Sequence, residues 1–106
     1  NFTIMKEEPF GPLVPVLTFK DFDEVVERAN NNDLGLCSYL YTNSMDKANR
    51  ASEMMETGCV AVNTAAVAVA EAPFGGIKQT GYGREGGSMA IKDYLNIKYT
   101  HMGLKT

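Results

Sequence analysis

The sequence contains no tryptophan, only one histidine, two cysteines and no long apolar run. The longest apolar stretch, residues 65–70, is far too short to cross a bilayer, so we expect no membrane-spanning segment. One histidine and two well-separated cysteines predict no metal site. The cysteines also lack Cys-x-x-Cys spacing, which indicates a reducing compartment rather than a disulfide scaffold. We therefore expect a cytoplasmic protein.

An excess of basic residues is also missing. Ten Lys and Arg against thirteen Asp and Glu give a formal net charge of −3. This balance offers no basic stripe for a nucleic-acid backbone and no polybasic segment for an anionic membrane, so we predict neither as a partner. The chain opens on Asn1-Phe2-Thr3, without an initiating methionine or a charged-then-apolar leader. We expect no signal peptide and a start inside a longer protein.

The first 62 residues alternate between strand and helix patterns. At 106 residues, 44% hydrophobic and 22% charged, the chain is typical of one globular domain at most. Apolar and capping patterns predict five elements, which are a strand at 14–19, a helix capped by Asp21, a strand at 37–42, a helix running from Ser44 to Gly58, and a strand at 59–62. Connections long enough to hold a helix predict an α/β fold, a βαβαβ unit with a parallel sheet.

The last 44 residues have a different character. Residues 63–87 contain six glycines and one proline, and a loop of that length in a compact domain is usually functional. Residues 85–95 predict a helix, and residues 97–102 predict a terminal strand. That strand lies outside the βαβαβ block and has no assigned partner, so another chain is a candidate to pair with it.

A rigid corner precedes the first predicted strand. Pro9 and Pro12 fix their own φ angles and Gly11 permits a sharp bend, which holds Glu8 and Phe10 in set directions. The local sequence fits a solvated turn. It also fits a site where a carboxylate meets a ribose diol and an aromatic ring meets a flat heteroaromatic ring, and the local sequence does not separate the two interpretations.

The glycine-rich loop contains a short motif with three glycines. Residues 81–86 match G-x-G-x-x-G, but no strand pattern precedes them and few residues follow, so a small nucleotide-binding domain is a weak hypothesis. The glycines instead predict close approach to another backbone. Glu85 inside this motif fits an acid at a helix start. Cys37 and Cys59 lie within apolar strand patterns and are interpreted as buried small hydrophobes, and His101 as a surface residue.

Together these segments resemble the C-terminal part of the NAD(P)-dependent aldehyde dehydrogenases. The matching pieces are Glu-Glu-Pro-Phe-Gly-Pro at 7–12, Ala-Asn-Asn at 29–31, Leu-Gly-Leu at 34–36, Gly-Cys-Val-Ala-Val-Asn at 58–63, Pro-Phe-Gly-Gly-Ile-Lys at 73–78, Gly-Tyr-Gly-Arg-Glu-Gly at 81–86 and Tyr94 with Ile-Lys-Tyr at 97–99. They occur in the family's order and spacing along essentially the whole chain. The opening motif and the end, Tyr-Leu-Asn-Ile-Lys-Tyr-Thr-His-Met-Gly-Leu, resemble the succinate-semialdehyde dehydrogenase branch.

The resemblance implies roles for particular residues. Glu8 would hold the hydroxyls of the nicotinamide ribose of NAD or NADP, and Phe10 would pack beside the nicotinamide. Phe74 would line the aldehyde pocket, and Glu85 would pass protons through water to the general base. Two further residues, Ala68 and Val69, would fall in the loop that shapes substrate choice.

The resemblance also implies a division of the chain. Residues 1–96 would be an incomplete C-terminal part of the catalytic domain. Residues 97–106 would be the oligomerisation strand and tail, so we expect a homo-oligomer.

The implied chemistry oxidises an aldehyde, such as succinate semialdehyde, to the acid through a thioester on a cysteine. Neither Cys37 nor Cys59 has the nucleophile's sequence context, so the resemblance implies that the nucleophile, the general-base glutamate and the oxyanion asparagine lie upstream. The chain alone is therefore predicted to be inactive. A serine expected near Ala68 or Val69 to hold the substrate carboxylate is missing. The alternative is a non-catalytic assembly module that retains the fold.

Overall fold

The structure, a computed structural model, describes residues 3–105. Its elements in chain order are α1 (Phe22–Asn30), β1 (Leu34–Gly35), β2 (Cys37–Leu40), α2 (Met45–Met54), β3 (Cys59–Val62) and β4 (Ile77–Lys78), with short 3₁₀ turns at Thr3–Met5 and Ala90–Tyr94. Helices and strands therefore mix as the α/β prediction requires, although the sheets are small.

Both helices begin at the capping residues that the sequence indicates. The Asp21 carboxylate accepts a hydrogen bond from the Glu24 amide at 2.9 Å, and the Ser44 hydroxyl accepts from the Lys47 amide at 3.3 Å. The Glu24 carboxylate accepts in return from the Lys20 amide, one residue before the cap, at 2.9 Å. This exchange is a shifted form of the capping box, and it satisfies donors that the first helical turn leaves unpaired.

The parallel pairing around α2 is confirmed. β2 and β3 run parallel with Cys37 opposite Cys59 and Leu40 opposite Val62. α2 is the crossover between them, so this part of the chain is a β–α–β unit. A second ladder was not expected: β1 and β4 pair antiparallel, with Gly35 opposite Ile77.

The wider βαβαβ sheet is not formed within residues 3–105. Residues 14–19 and 97–102, both predicted as strands, have no regular secondary structure and are exposed. A strand needs a neighbour to receive its backbone hydrogen bonds, and neither segment has one among the described residues. The helix predicted at 85–95 shrinks to the 3₁₀ turn Ala90–Tyr94, and the second helix ends at Met54 rather than at Gly58.

The core is small and lies between the two helices and the β2–β3 pair. Val26, Ala51 and Ala61 are its buried hydrophobic residues. Many larger apolar side chains are exposed, among them Leu13, Val14, Val16, Leu17, Phe19, Leu95, Ile97, Tyr99, Met102 and Leu104. The described chain extends over 74 × 34 × 24 Å. Segments 13–19 and 95–104 thus present apolar surface that the rest of residues 3–105 does not cover.

Candidate functional site

The glycine-rich loop 63–87 is an ordered structure closed by backbone hydrogen bonds. The amide of Phe74 donates to the carbonyl of Glu85, and the amide of Glu85 donates to the carbonyl of Phe74, both at 2.7 Å. The Gly87 amide donates to the Ala70 carbonyl at 2.8 Å. The loop therefore folds back on itself as an antiparallel clamp, and two of the proposed site residues form its central pair.

Close backbone approach explains three glycines in or near this loop, as the sequence indicates. Gly86 has a φ of +71°, and a β-carbon there would lie 2.8 Å from the Ala72 carbonyl oxygen. A β-carbon on Gly75 would collide with the backbone of Gly83, and one on Gly58 with that of Gly75. Only glycine allows these segments of backbone to pass so near one another.

Arg84 fixes the geometry next to the clamp. Its Nη1 donates to the carbonyl oxygen of Gly76 at 2.7 Å, and to those of Tyr82 and Gly83 at 2.9 and 3.0 Å. Its own amide donates to a carboxylate oxygen of Asp93 at 2.9 Å. The side chain before Glu85 thus serves the loop's own carbonyls. Sequence reasoning missed this role because an arginine in a glycine-rich segment gives no sign of which carbonyls it will reach.

Lys78 joins this loop to the helices. Its Nζ donates to the carbonyl oxygens of Asn30 and Asn32 at 2.9 and 3.0 Å and lies 2.5 Å from a carboxylate oxygen of Glu56. Its backbone has a φ of 55°, unusual for a residue with a β-carbon. The ammonium group therefore satisfies carbonyls at the end of α1 that have no helical partner.

Asn30 completes the same junction through its side-chain amide. Its Nδ2 donates to the Met54 carbonyl, and its Oδ1 accepts from the Glu56 amide, both at 2.8 Å. The end of α1 is thus tied to the end of α2 and, through Lys78, to β4. Neither residue was singled out from the sequence. Asparagine after a helix indicates a turn, and nothing in its spacing reveals a partner 24 residues away.

Glu8 lies in a different place from Phe74 and Glu85. It lines an open cleft of about 990 Å³ between the segment near the N-terminus and the residues around β1. The opposite wall includes Asn31, Leu36 and Cys37. Within residues 3–105 the Glu8 carboxylate accepts no hydrogen bond, and Phe10 beside it is fully exposed. Both side chains are therefore open to a ligand.

Ala68 and Val69 lie on the clamp side, not at the cleft. Both are exposed, and the Val69 carbonyl accepts from the Ala72 amide at 3.2 Å. A β-carbon on Gly86 would lie 3.5 Å from the same Val69 oxygen. The loop thus brings Val69, Phe74 and Glu85 onto one short, ordered segment, separate from the Glu8 cleft.

The two cysteines are less buried than the sequence indicates. Both are free thiols of intermediate exposure, and Cys37 lines the open cleft. The Cys59 thiol donates to the Gly75 carbonyl across 3.6 Å. Burial raises the pKa of Cys37, and the adjacent Cys59 thiol raises it further. The Cys37 thiolate is therefore scarce at neutral pH, which does not suit the nucleophile of the aldehyde reaction.

Comparison with known proteins decides the family. The sequence profile of the Aldehyde dehydrogenase family matches residues 1–100. The chain belongs to the aldehyde dehydrogenase family. It is 52% identical over 94% of its length to the 3-sulfolactaldehyde dehydrogenase of Pseudomonas putida, and covers 21% of that protein. It is 45% identical over 98% of its length to the NADP(+) succinate-semialdehyde dehydrogenase GabD of Escherichia coli (strain K12), of which it covers 22%.

A solved structure agrees with this assignment. The NAD+ complex of an aldehyde dehydrogenase from Bacillus cereus superimposes with a TM-score of 0.87 and 43% sequence identity, over 92% of this chain and 20% of that one. The chain therefore spans about a fifth of the length of the aldehyde dehydrogenases it matches. Between residues 3 and 105, neither helix has the length and apolar character needed to cross a membrane.

Proposed function

We propose that this chain is the part of an NAD(P)-dependent aldehyde dehydrogenase that closes the cofactor and aldehyde sites, in an enzyme that oxidises a semialdehyde such as succinate semialdehyde. The nucleophilic cysteine, the general base and the oxyanion donors come from sequence outside this chain. The observation that carries the proposal is the clamp, which brings Phe74, Glu85 and Val69 onto one ordered segment of a family member.

The cofactor side of the proposal rests on Glu8 and Phe10. The Glu8 carboxylate faces an open cleft and would accept hydrogen bonds from the ribose hydroxyls, while the exposed Phe10 ring would pack beside the nicotinamide. NAD(P), when bound, supplies the acceptor for the hydride that leaves the substrate. Holding the ribose from one side orients the ring, and orientation is worth several kcal/mol in a transfer reaction.

The substrate side rests on the clamp. Phe74 and the apolar pair Ala68 and Val69 would form a wall of the aldehyde pocket and exclude water from it. Glu85 carries a carboxylate that accepts no hydrogen bond from residues 3–105, so it is available to a water molecule. It would receive a proton from that water and pass it on while its backbone holds it in place.

The assembly-module alternative also has an observation in its favour. The apolar side chains at residues 10–19 and 95–104 are exposed, which suits a chain that another polypeptide covers. The same exposure follows if the cover is the rest of an enzyme or a second subunit of a homo-oligomer. Activity separates the two, because an assembly module would support folding and association without supporting catalysis.

A transplant tests the proposal. This chain replaces the matched segment of the E. coli succinate-semialdehyde dehydrogenase, with which it shares 45% identity over 104 residues. We expect the chimera to oxidise succinate semialdehyde with NADP(+), while the isolated chain shows no turnover above a denatured control. A chimera that folds and assembles like the E. coli enzyme but forms no NADPH would overturn the catalytic proposal and favour the assembly module.

A further inference from the structure

Two thiols lie side by side on neighbouring strands. Cys37 on β2 is the register partner of Cys59 on β3, and side chains of register partners in a parallel pair project from the same face. Both cysteines are free and partly exposed. They are also the only cysteines in the sequence. No role in the aldehyde chemistry falls to either of them.

The strand spacing suits a covalent link. Neighbouring strands lie about 4.8 Å apart. Disulfides join residues whose Cα atoms are about 4.4–6.8 Å apart, but their β-carbons must approach to about 3.5–4.5 Å. The Cα atoms of register partners on adjacent strands meet the first condition. Their β-carbons must be drawn together slightly to meet the second. A bond formed here would be strained, and strained disulfides are the readily reduced ones.

The cleft gives an oxidant access to the pair. Cys37 lines the same open cleft as Glu8 and is partly exposed, so a small molecule in the cleft can reach this residue. On the other side, the Cys59 thiol donates to the Gly75 carbonyl, next to Phe74. One cysteine of the pair thus lines the cleft, and the other contacts the backbone next to Phe74 in the clamp.

We propose that Cys37 and Cys59 are a reversible dithiol–disulfide pair that a hydroperoxide oxidises. One thiolate attacks the peroxide oxygen and becomes a sulfenic acid, releasing water or an alcohol. The second thiol then displaces the hydroxyl group as water, and the S–S bond forms. In total two electrons and two protons pass from the thiols to the peroxide, and a dithiol reductant later returns them to the disulfide. The proposal goes beyond the aldehyde chemistry and does not depend on it.

Oxidation has a defined local consequence. The disulfide has no S–H, so the Gly75 carbonyl loses its 3.6 Å contact with the Cys59 donor. The crosslink also closes a loop around α2 and holds β2 against β3. In a reducing compartment such a bond forms transiently, which is the behaviour expected of a sensor and not of a structural disulfide.

The test treats the folded 106-residue chain with hydrogen peroxide, alkylates remaining thiols with N-ethylmaleimide and digests with trypsin without reductant. Cleavage after Arg28, Lys47, Arg50 and Lys78 separates the two cysteines into different peptides. We expect one linked pair, 29–47 joined to 51–78, lighter than the sum of the two peptides by two hydrogens. Chains that run as monomers on a non-reducing denaturing gel should have lost both alkylation sites. Dithiothreitol should restore these sites.

A matched control keeps the composition and moves one thiol. Cys37→Ser combined with Ser38→Cys places the sulfur on the opposite face of β2, and we expect it to form much less of the intrachain link at equal peroxide. The natural chain overturns the proposal if both thiols stay open to alkylation, if they oxidise separately to sulfinic acids, or if only chain-to-chain disulfides form. Equal linking in the natural and swapped chains also overturns it, because the register would then not matter.

Discussion

Phe74 and Glu85 exchange two backbone hydrogen bonds of 2.7 Å, so the proposed pocket aromatic and the proposed proton-relay carboxylate lie opposite each other on one antiparallel bridge. The bond pair uses only main-chain atoms. Either side chain can therefore be changed without removing the contact that positions the other. Substitutions at these two side chains can therefore test chemistry without disturbing the backbone bridge.

Glu8→Gln in the chimera should weaken cofactor binding more than folding. Losing a charge-assisted hydrogen bond to a ribose hydroxyl costs about 1.5–3 kcal/mol, a rise of about ten- to a hundredfold in the KM for NADP(+). Glu53→Gln, an exposed carboxylate on α2 that does not line the cleft, is the control and should leave the KM unchanged. A lower melting temperature with an unaltered KM would show that the corner is only structural.

Lys78→Met should destabilise the isolated chain. The substitution keeps most of the side chain's length but removes the donor to the Asn30 and Asn32 carbonyls and the charge beside Glu56. Hydrogen bonds to charged groups contribute about 1.5–3 kcal/mol, and the half-exposed Glu56 carboxylate lowers the figure, so we expect a loss of about 1–2 kcal/mol.

Urea denaturation followed by circular dichroism measures this loss. Lys47→Met is the control, because Lys47 is exposed and its side chain forms no ion pair within residues 3–105. Equal unfolding midpoints for the two variants would show that Lys78 does not stabilise the junction between the loop and the helices.

The sequence predicted the local elements well and the long-range ones poorly. Asp21 and Ser44 carry their caps in their own spacing, so both helix starts were readable. The parallel pairing of β2 with β3 followed from the helix between them. The ladder between β1 and β4 joins residues far apart in the sequence in strands of two residues each, too short to leave a pattern.

The two strands that were predicted but do not form, at 14–19 and 97–102, have a different cause. Residues 14–19 have strand composition, but a strand forms only where a neighbour receives its hydrogen bonds, and composition carries no information about that neighbour. The same holds for residues 97–102. The roles proposed for Glu8, Phe10 and Glu85 come from the family motifs, since an exposed carboxylate after a turn is otherwise ordinary.

Cys37 gives the chain a pH-dependent stability at alkaline pH. Burial and the Cys59 thiol raise its pKa above the ordinary value of 9.0, so the folded chain keeps a proton that the unfolded chain releases. The stabilisation is complete below the unfolded pKa and is lost as the pH rises through the folded pKa.

Unfolding midpoints in reductant, measured for the natural chain and for Cys37→Ala from about pH 7 to about pH 10.5, test this linkage. The natural chain should lose stability relative to the variant above about pH 9. Parallel profiles would show that the pKa of this thiol is not raised on folding.

The isolated chain should associate. The exposed apolar residues at 97–104 form an unpaired segment of strand composition, and such segments drive self-pairing. Light scattering at micromolar concentration should report a dimer or larger species. Tyr99→Pro, which removes a backbone donor, should reduce association, whereas Tyr99→Phe should not. A natural chain that remains monomeric would contradict the homo-oligomer proposal for this segment.

The central claim is that the loop 63–87 carries chemistry and does not merely close the fold. The most direct measurement is the pre-steady-state formation of NADPH by the chimera with Glu85→Gln, beside Glu71→Gln as an exposed carboxylate of the same loop. A proton relay acts after hydride transfer, so the first burst should persist while the later turnover slows by up to about a hundredfold. Burst and turnover that both equal those of Glu71→Gln would contradict the claim.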